Sequence, residues 1–216
     1  MNFNYPFFEP HVGKLIGTNK CVFNKHILVL GDSHHCGECS IEECKSHMNN
    51  DCKYLTIDVI NGHIAGKDDP NNSLYEFDNL FSNISRENLW ESITFYNYLQ
   101  WAEPLSNTDS KSYDDDYSVN SFWSVLERIR PDAMIVWGTR KDNKGLYECL
   151  PGNFENGPWV KCTSIKVHEE VIQISGIKLR CGKLIKVLPI HHPSYSKRYH
   201  ETTNLRDIIL AFLEII

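Results

Sequence analysis

Short continuous apolar runs alternate with longer amphipathic stretches along this chain. Residues 27–30, Ile-Leu-Val-Leu, are uninterrupted and closed by Gly31. Residues 133–137, Ala-Met-Ile-Val-Trp, repeat the pattern and are closed by Gly138. Residues 184–190, Leu-Ile-Lys-Val-Leu-Pro-Ile, form a third run that ends at His191. Runs this short, without polar alternation, predict strands buried on both faces, as in parallel sheets. Residues 86–101 start with helical character and predict a strand around 93–98. Residues 119–129 carry Val119, Phe122, Trp123, Val125, Leu126 and Ile129 as one broad stripe, which predicts a helix stopped by Pro131. Residues 201–216 predict a C-terminal helix capped by Thr202 or Thr203. Residues 41–49, and on towards 64, have mixed helical character, and residues 165–174 fit either helix or extended chain. Residues 103–118 are polar and acidic without an apolar period, and predict a surface loop. Strands alternating with helices predict a layered α/β sheet.

Composition narrows the class. A chain of 216 residues is long enough for one domain with a sizeable core. At 41% hydrophobic and 12% aromatic residues it reads as globular. No apolar stretch approaches the roughly 18 residues needed to span a bilayer. The opening residues, MNFNYPFFEP, have neither a basic n-region nor an apolar h-region. The expected location is therefore cytoplasmic or nuclear, not secreted and not in a membrane. Eight cysteines without a signal peptide are better read as thiols or metal ligands than as a disulfide framework. A net charge of −6 argues against coating nucleic acid by bulk attraction, yet the charge is polarised. Residues 178–198 hold six Lys or Arg and no acid, whereas Asp114-Asp115-Asp116 is an acidic run.

Two strands end in loops dense with functional groups: Gly31-Asp32-Ser33-His34-His35-Cys36 after the first run, and His191-His192-Pro193-Ser194-Tyr195-Ser196 after the last. Ligands of open α/β sheets bind outside the carboxyl ends of strands, so these loops are expected to share a cleft. Gly-Asp-Ser after a strand resembles the opening block of the SGNH serine hydrolases, with Ser33 as nucleophile. In that family an acid lies three residues before the C-terminal His. Here Leu188, Pro189 and Lys197 stand three before His191, His192 and His200, so the partner acid is missing. Separately, Cys36, Cys39, Cys44 and Cys52 put four thiols within seventeen residues, spaced x2, x4 and x7. Thiolates so spaced suit a structural zinc in a Cys-rich insertion at about 34–53, with an iron–sulfur cluster second.

Four motifs, in order, resemble the uracil-DNA glycosylase superfamily. Leu30-Gly31-Asp32-Ser33 ends a strand in a Gly-containing loop bearing an acid. Asn97 lies on a later strand. Ile135-Val136-Trp137-Gly138 ends an apolar strand in Trp-Gly. His192-Pro193-Ser194 follows the last strand, before a basic segment and a terminal helix. The resemblance covers about residues 27–216. It implies a three-layer α/β/α domain over residues 1–216 around a central, mostly parallel four-stranded sheet. It also implies a monofunctional DNA glycosylase that flips a base and hydrolyses its N-glycosidic bond, with no catalytic cofactor. Asp32 would stabilise the cationic sugar and position water, and His192 would stabilise the departing base. Asn97 would read the base edge, with Ser33 and His35 lining its pocket. Ser194, Ser196, Lys197 and Arg198 would hold phosphates, and Tyr195 would wedge into the stack. The partner would be DNA, and the protein a monomer.

Uracil-specific members carry Gly-Gln-Asp-Pro-Tyr-His in the first loop. A strict overlay puts Ser33 in place of their Asp and His35 in place of the Tyr that excludes 5-substituted bases. The Leu wedge after His-Pro-Ser is also missing. The pattern leaves room for uracil or for a bulky modified cytosine of phage type, in repair or in defence. The second reading is a catalytically inert DNA- or nucleotide-binding module of the same fold. Asp32 can equally serve as a plain helix cap, and Asn97 as a buried structural amide.

Overall fold

The computed structural model describes residues 6–35, 44, 50–68, 72–103, 113–138, 145–152, 158–195 and 202–216. Nine strands are assigned among them: β1 His11–Val12, β2 Ile27–Gly31, β3 His34–His35, β4 Ile93–Asn97, β5 Ala102–Glu103, β6 Ala133–Trp137, β7 Trp159–Val167, β8 Glu170–Lys178 and β9 Leu184–Ile190. The α-helices are α1 Leu55–Ile64, α2 Ser73–Asn79, α3 Arg86–Trp90, α4 Asp116–Ile129, α5 Leu146–Cys149 and α6 Thr202–Ile215. None of these helices is long and apolar enough to cross a membrane.

Seven strands form one sheet in the order β1-β4-β2-β6-β9-β8-β7. The neighbours β4, β2, β6 and β9 run parallel. Every residue of β2, β4 and β6 is buried, which is why their sequences lack polar alternation. Alternate side chains feed two cores. Ile27, Val29, Phe95, Ile135 and Trp137 meet α1, α2, α3 and α6 through Ile60, Phe77, Trp90, Ile209 and Phe212. Leu28, Leu30, Tyr96, Met134 and Val136 meet α4 and α5 through Phe122, Val125, Leu126 and Leu146. Helices therefore cover both faces.

The α/β class is as expected, but the sheet is seven-stranded and mixed rather than four-stranded. β1 adds an antiparallel edge next to β4. β7 and β8 form an antiparallel hairpin that continues the sheet beyond β9. Residues 165–174, ambiguous in sequence, are the tip of that hairpin. No Gly marks its turn; His168 instead takes a left-handed φ of 52°. Helix α4 begins three residues before the apolar stripe does. The Asp115 carboxylate accepts from the Ser118 N–H at 2.8 Å and so caps it, and Arg130 closes it at a φ of 50° before Pro131.

Candidate active site

The parallel strands deliver their C-terminal ends to one edge, and the two functional loops with them. Gly31 lies opposite Asn97 in the β2–β4 register. The loops then run side by side: Tyr98 N–H donates to Gly31 O at 3.0 Å, and Leu99 N–H to Asp32 O at 2.9 Å. A Cβ at position 31 would sit 2.2 Å from Asn97 Oδ1, so any larger residue there would displace the Asn97 side chain. Across the edge, Gly138 N–H donates to Ile190 O at 3.0 Å and ties the loop after β6 to the loop after β9. The rings of Trp137 and His192 then meet edge to face, centroids 5.9 Å apart.

Asp32 is half-buried, and its Oδ2 accepts from the Tyr113 hydroxyl at 3.2 Å. Tyr113 is itself buried, inside what the sequence presents as a surface loop. Asn97 is buried. Its carbonyl accepts from Gln100 Nε2 at 3.0 Å, while Gln100 Oε1 takes the Phe7 and Phe8 N–H groups, each at 3.0 Å. The N-terminal segment is thereby laced to the loop after β4.

His192 is half-buried, and its Nδ1 lies 2.6 Å from Ser194 Oγ. Ser194, expected to hold a phosphate, is engaged with the histidine of its own loop. Pro193 is buried, and the 3₁₀ turn Pro193–Tyr195 packs against α2. The Tyr195 side chain and all of Ser196, Lys197 and Arg198 lie outside the described residues.

Of the basic stretch 178–198, Lys178, Arg180 and Lys183 lie at the end of β9 opposite His192. Lys183 Nζ donates to Arg130 O at 2.6 Å and pairs with Asp132 at 2.8 Å. Lys186 Nζ donates to Ile215 O.

The two histidines of the first loop divide. His35 is exposed and aligned with Glu103 in the short β3–β5 ribbon. Its neighbour His34 is buried, with Nε2 at 2.8 Å from Thr56 Oγ1 and its ring edge-on to Phe8 at 5.0 Å. Burial pushes the His34 pKa from 6.5 down to about 3, with His35 adding to the shift. The folded protein thus keeps His34 neutral where the unfolded chain would protonate it. This stability is complete above about pH 6.5 and is lost as pH falls towards about 3, at about 1.4 kcal/mol per pH unit. His11 and His26, also lowered chiefly by burial, add in the same direction. Urea midpoints should therefore fall between pH 7 and pH 5, and less steeply in His34→Phe. Equal slopes in the two proteins would show that His34 is not held neutral.

Burial raises the Cys149 thiol pKa, and Glu148, Asp114 and Asp32 raise it further. Burial likewise raises Tyr98, with Asp115 and Asp114 adding to it.

Of the four clustered cysteines, Cys36 and Cys39 lie outside the described residues. Cys44 Sγ accepts the Ala102 N–H at 3.2 Å, the kind of bond that a thiolate ligand accepts. Cys52 is half-buried. Among the described residues no group of three or more His, Cys, Asp or Glu side chains converges to hold a metal.

No family model matches the chain, and comparison with curated proteins and with solved structures gives no match.

Proposed function

We propose that this protein is a monofunctional DNA glycosylase that hydrolyses the N-glycosidic bond of a flipped base, uracil or a bulky modified cytosine. The observation that carries the reading is the common edge of β2, β4, β6 and β9. There an acid follows β2, an amide ends the neighbouring β4, and a histidine lies beyond the end of β9, across β6 from β2.

Bond cleavage puts positive charge on the sugar and negative charge on the leaving base. Asp32 stabilises the first and orients the attacking water. His192 stabilises the second. In the tautomer that carries its proton on Nε2, Nδ1 accepts from the Ser194 hydroxyl and Nε2 donates to the base oxygen. Asn97, buried and set against Gly31, reads the base edge. Its rigid setting suits discrimination, because a buried amide left unsatisfied by the wrong base is costly. Flipping costs a few kcal/mol, so weakly paired or modified bases are favoured. Ser196, Lys197, Arg198 and Tyr195 supply phosphate contacts and the wedge. With a net charge of −6 the grip on DNA is local.

Two DNAs test the reading: one strand with a single uracil, and phage DNA rich in glucosylated hydroxymethylcytosine. Alkali-labile breaks in the uracil strand alone mean repair. Breaks in the modified DNA alone mean a widened pocket and a defence role. A gel shift without breaks in either means an inert binding module.

Cys36, Cys39, Cys44 and Cys52 are assigned to a structural zinc outside the chemistry. Metal analysis of purified protein should find about one zinc per chain. Less than half an equivalent of zinc or iron would remove the metal.

A further inference from the structure

We propose that Tyr113 is a positioning residue that holds the Asp32 carboxylate in its working orientation. This role rests on the glycosylase reading and adds to it a residue that no motif supplies. Asp32 follows the last residue of β2, and the loop backbone is pinned by Leu99 and Tyr98. Those bonds fix the main chain, but they leave rotation about the side chain's own bonds. The Tyr113 hydroxyl, reaching Oδ2 at 3.2 Å from 81 positions away, restrains that rotation.

Tyr113 is built to be a fixed donor. Its carbonyl accepts from the Tyr98 hydroxyl at 3.0 Å, and the two rings lie 6.2 Å apart. The Tyr98 ring in turn packs edge-on to Phe122 of α4 at 5.7 Å. Two residues beyond Tyr113, Asp115 caps α4. Ser118 of that first turn accepts the Gln100 N–H through Oγ at 3.1 Å, so the start of α4 is tied to the loop after β4. These supports of Tyr113 lead back to the strand ends that carry Asp32 and Asn97. At 3.2 Å the bond is longer than a full-strength O–H···O⁻ contact. It therefore orients the carboxylate while leaving negative charge to face the sugar.

The test is Tyr113→Phe, which keeps the ring and removes the donor. On whichever DNA the wild-type protein cleaves, base release at saturating DNA should slow by roughly tenfold to a hundredfold. The Kd for DNA should be unchanged. In an Asp32→Asn background the same substitution should have no further effect on rate. Release as fast as wild type overturns the role and leaves the glycosylase reading standing. A double-mutant cycle in urea that pairs Tyr113→Phe with Asp32→Ala, removing donor and acceptor in turn, needs no activity. There the double variant should lose less stability than the two single losses summed. If the wild-type protein releases no base from either DNA, the glycosylase reading fails, and the urea cycle decides alone. Coupled losses support Tyr113 as the holder of Asp32, and additive losses overturn it.

Discussion

Asp32→Asn and His192→Ala should each lower the rate of base release by roughly 10²–10⁴. The asparagine matches the aspartate in shape and can still accept from Tyr113, so the loop keeps its geometry. What disappears is the negative charge that faces the sugar as it becomes cationic. His192→Ala removes the donor to the departing base and an edge contact with Trp137. The buried Pro193 and the turn against α2 keep the loop in place. The two side chains stabilise opposite ends of one breaking bond. Their losses are therefore expected to be non-additive, the double variant falling short of the product. Single-turnover release with excess protein is the measurement, and urea midpoints control for folding. Unchanged rates in both variants would remove the assigned chemistry.

The largest stability effect is expected outside the motifs, at Asp78 on α2. Its Oδ1 accepts from Trp90 Nε1 at 2.7 Å. Its Oδ2 accepts from Arg86 Nε at 2.7 Å and faces His63 Nε2 at 2.9 Å. The other nitrogen of the buried His63 lies 2.7 Å from Asp68 Oδ2. Both ring nitrogens thus lie within hydrogen-bond reach of carboxylates. Burial works against the charged form of Asp68, but bonds from Asn72 and His63 outweigh it and hold that carboxyl below its usual range. Arg86 also lies over the Tyr75 ring at 4.2 Å and donates to His63 O at 3.1 Å. Asp78→Ala would leave the Arg86 guanidinium, His63 Nε2 and the Trp90 indole N–H without their shared partner. Breaking such a partly buried network costs about 3–5 kcal/mol, equivalent to roughly 6–20 °C in Tm for a chain of this size. Native domains hold only about 5–15 kcal/mol in total, so the variant should be close to its folding limit at 37 °C. Because α2 packs against the Pro193–Tyr195 turn, and Phe77 of α2 against Trp137 at 5.1 Å, the loosening should reach His192. A loss under about 1 kcal/mol in denaturant would mean that the network is solvated.

Parts of this architecture are legible in the chain itself. Residues 27–31, 133–137 and 184–190 fold as strands with the bounds that their apolar runs suggest. Continuous burial leaves no other pattern for such short segments. Asn97 could be placed at a strand end because residues 93–97 follow a short helix closed at Trp90. The β7–β8 hairpin escaped because its alternation is broken by a register shift between Lys161 and Thr163, and because its turn has no Gly. Tyr113 escaped for a different reason. It opens an acidic run without periodicity, and its burial comes from Tyr98 and Asp32, which are distant in sequence. His34 and His35 look alike on paper, yet one is core and the other surface. Alternation across β3 decides that, and β3 exists only because β5 pairs with it. The network around His63 draws on α1, α2 and α3, and no local signal brings those three together.

Identifying the small molecule released tests the central claim most directly. Uracil-containing DNA and glucosylated phage DNA would be incubated with wild-type and Asp32→Asn protein, and the filtrates examined by mass spectrometry. The predicted result is a free base from one of the DNAs, matched one for one by abasic sites in the polymer and nearly absent with Asp32→Asn. No free base from either DNA, or nucleotides in its place, would contradict hydrolysis of the N-glycosidic bond.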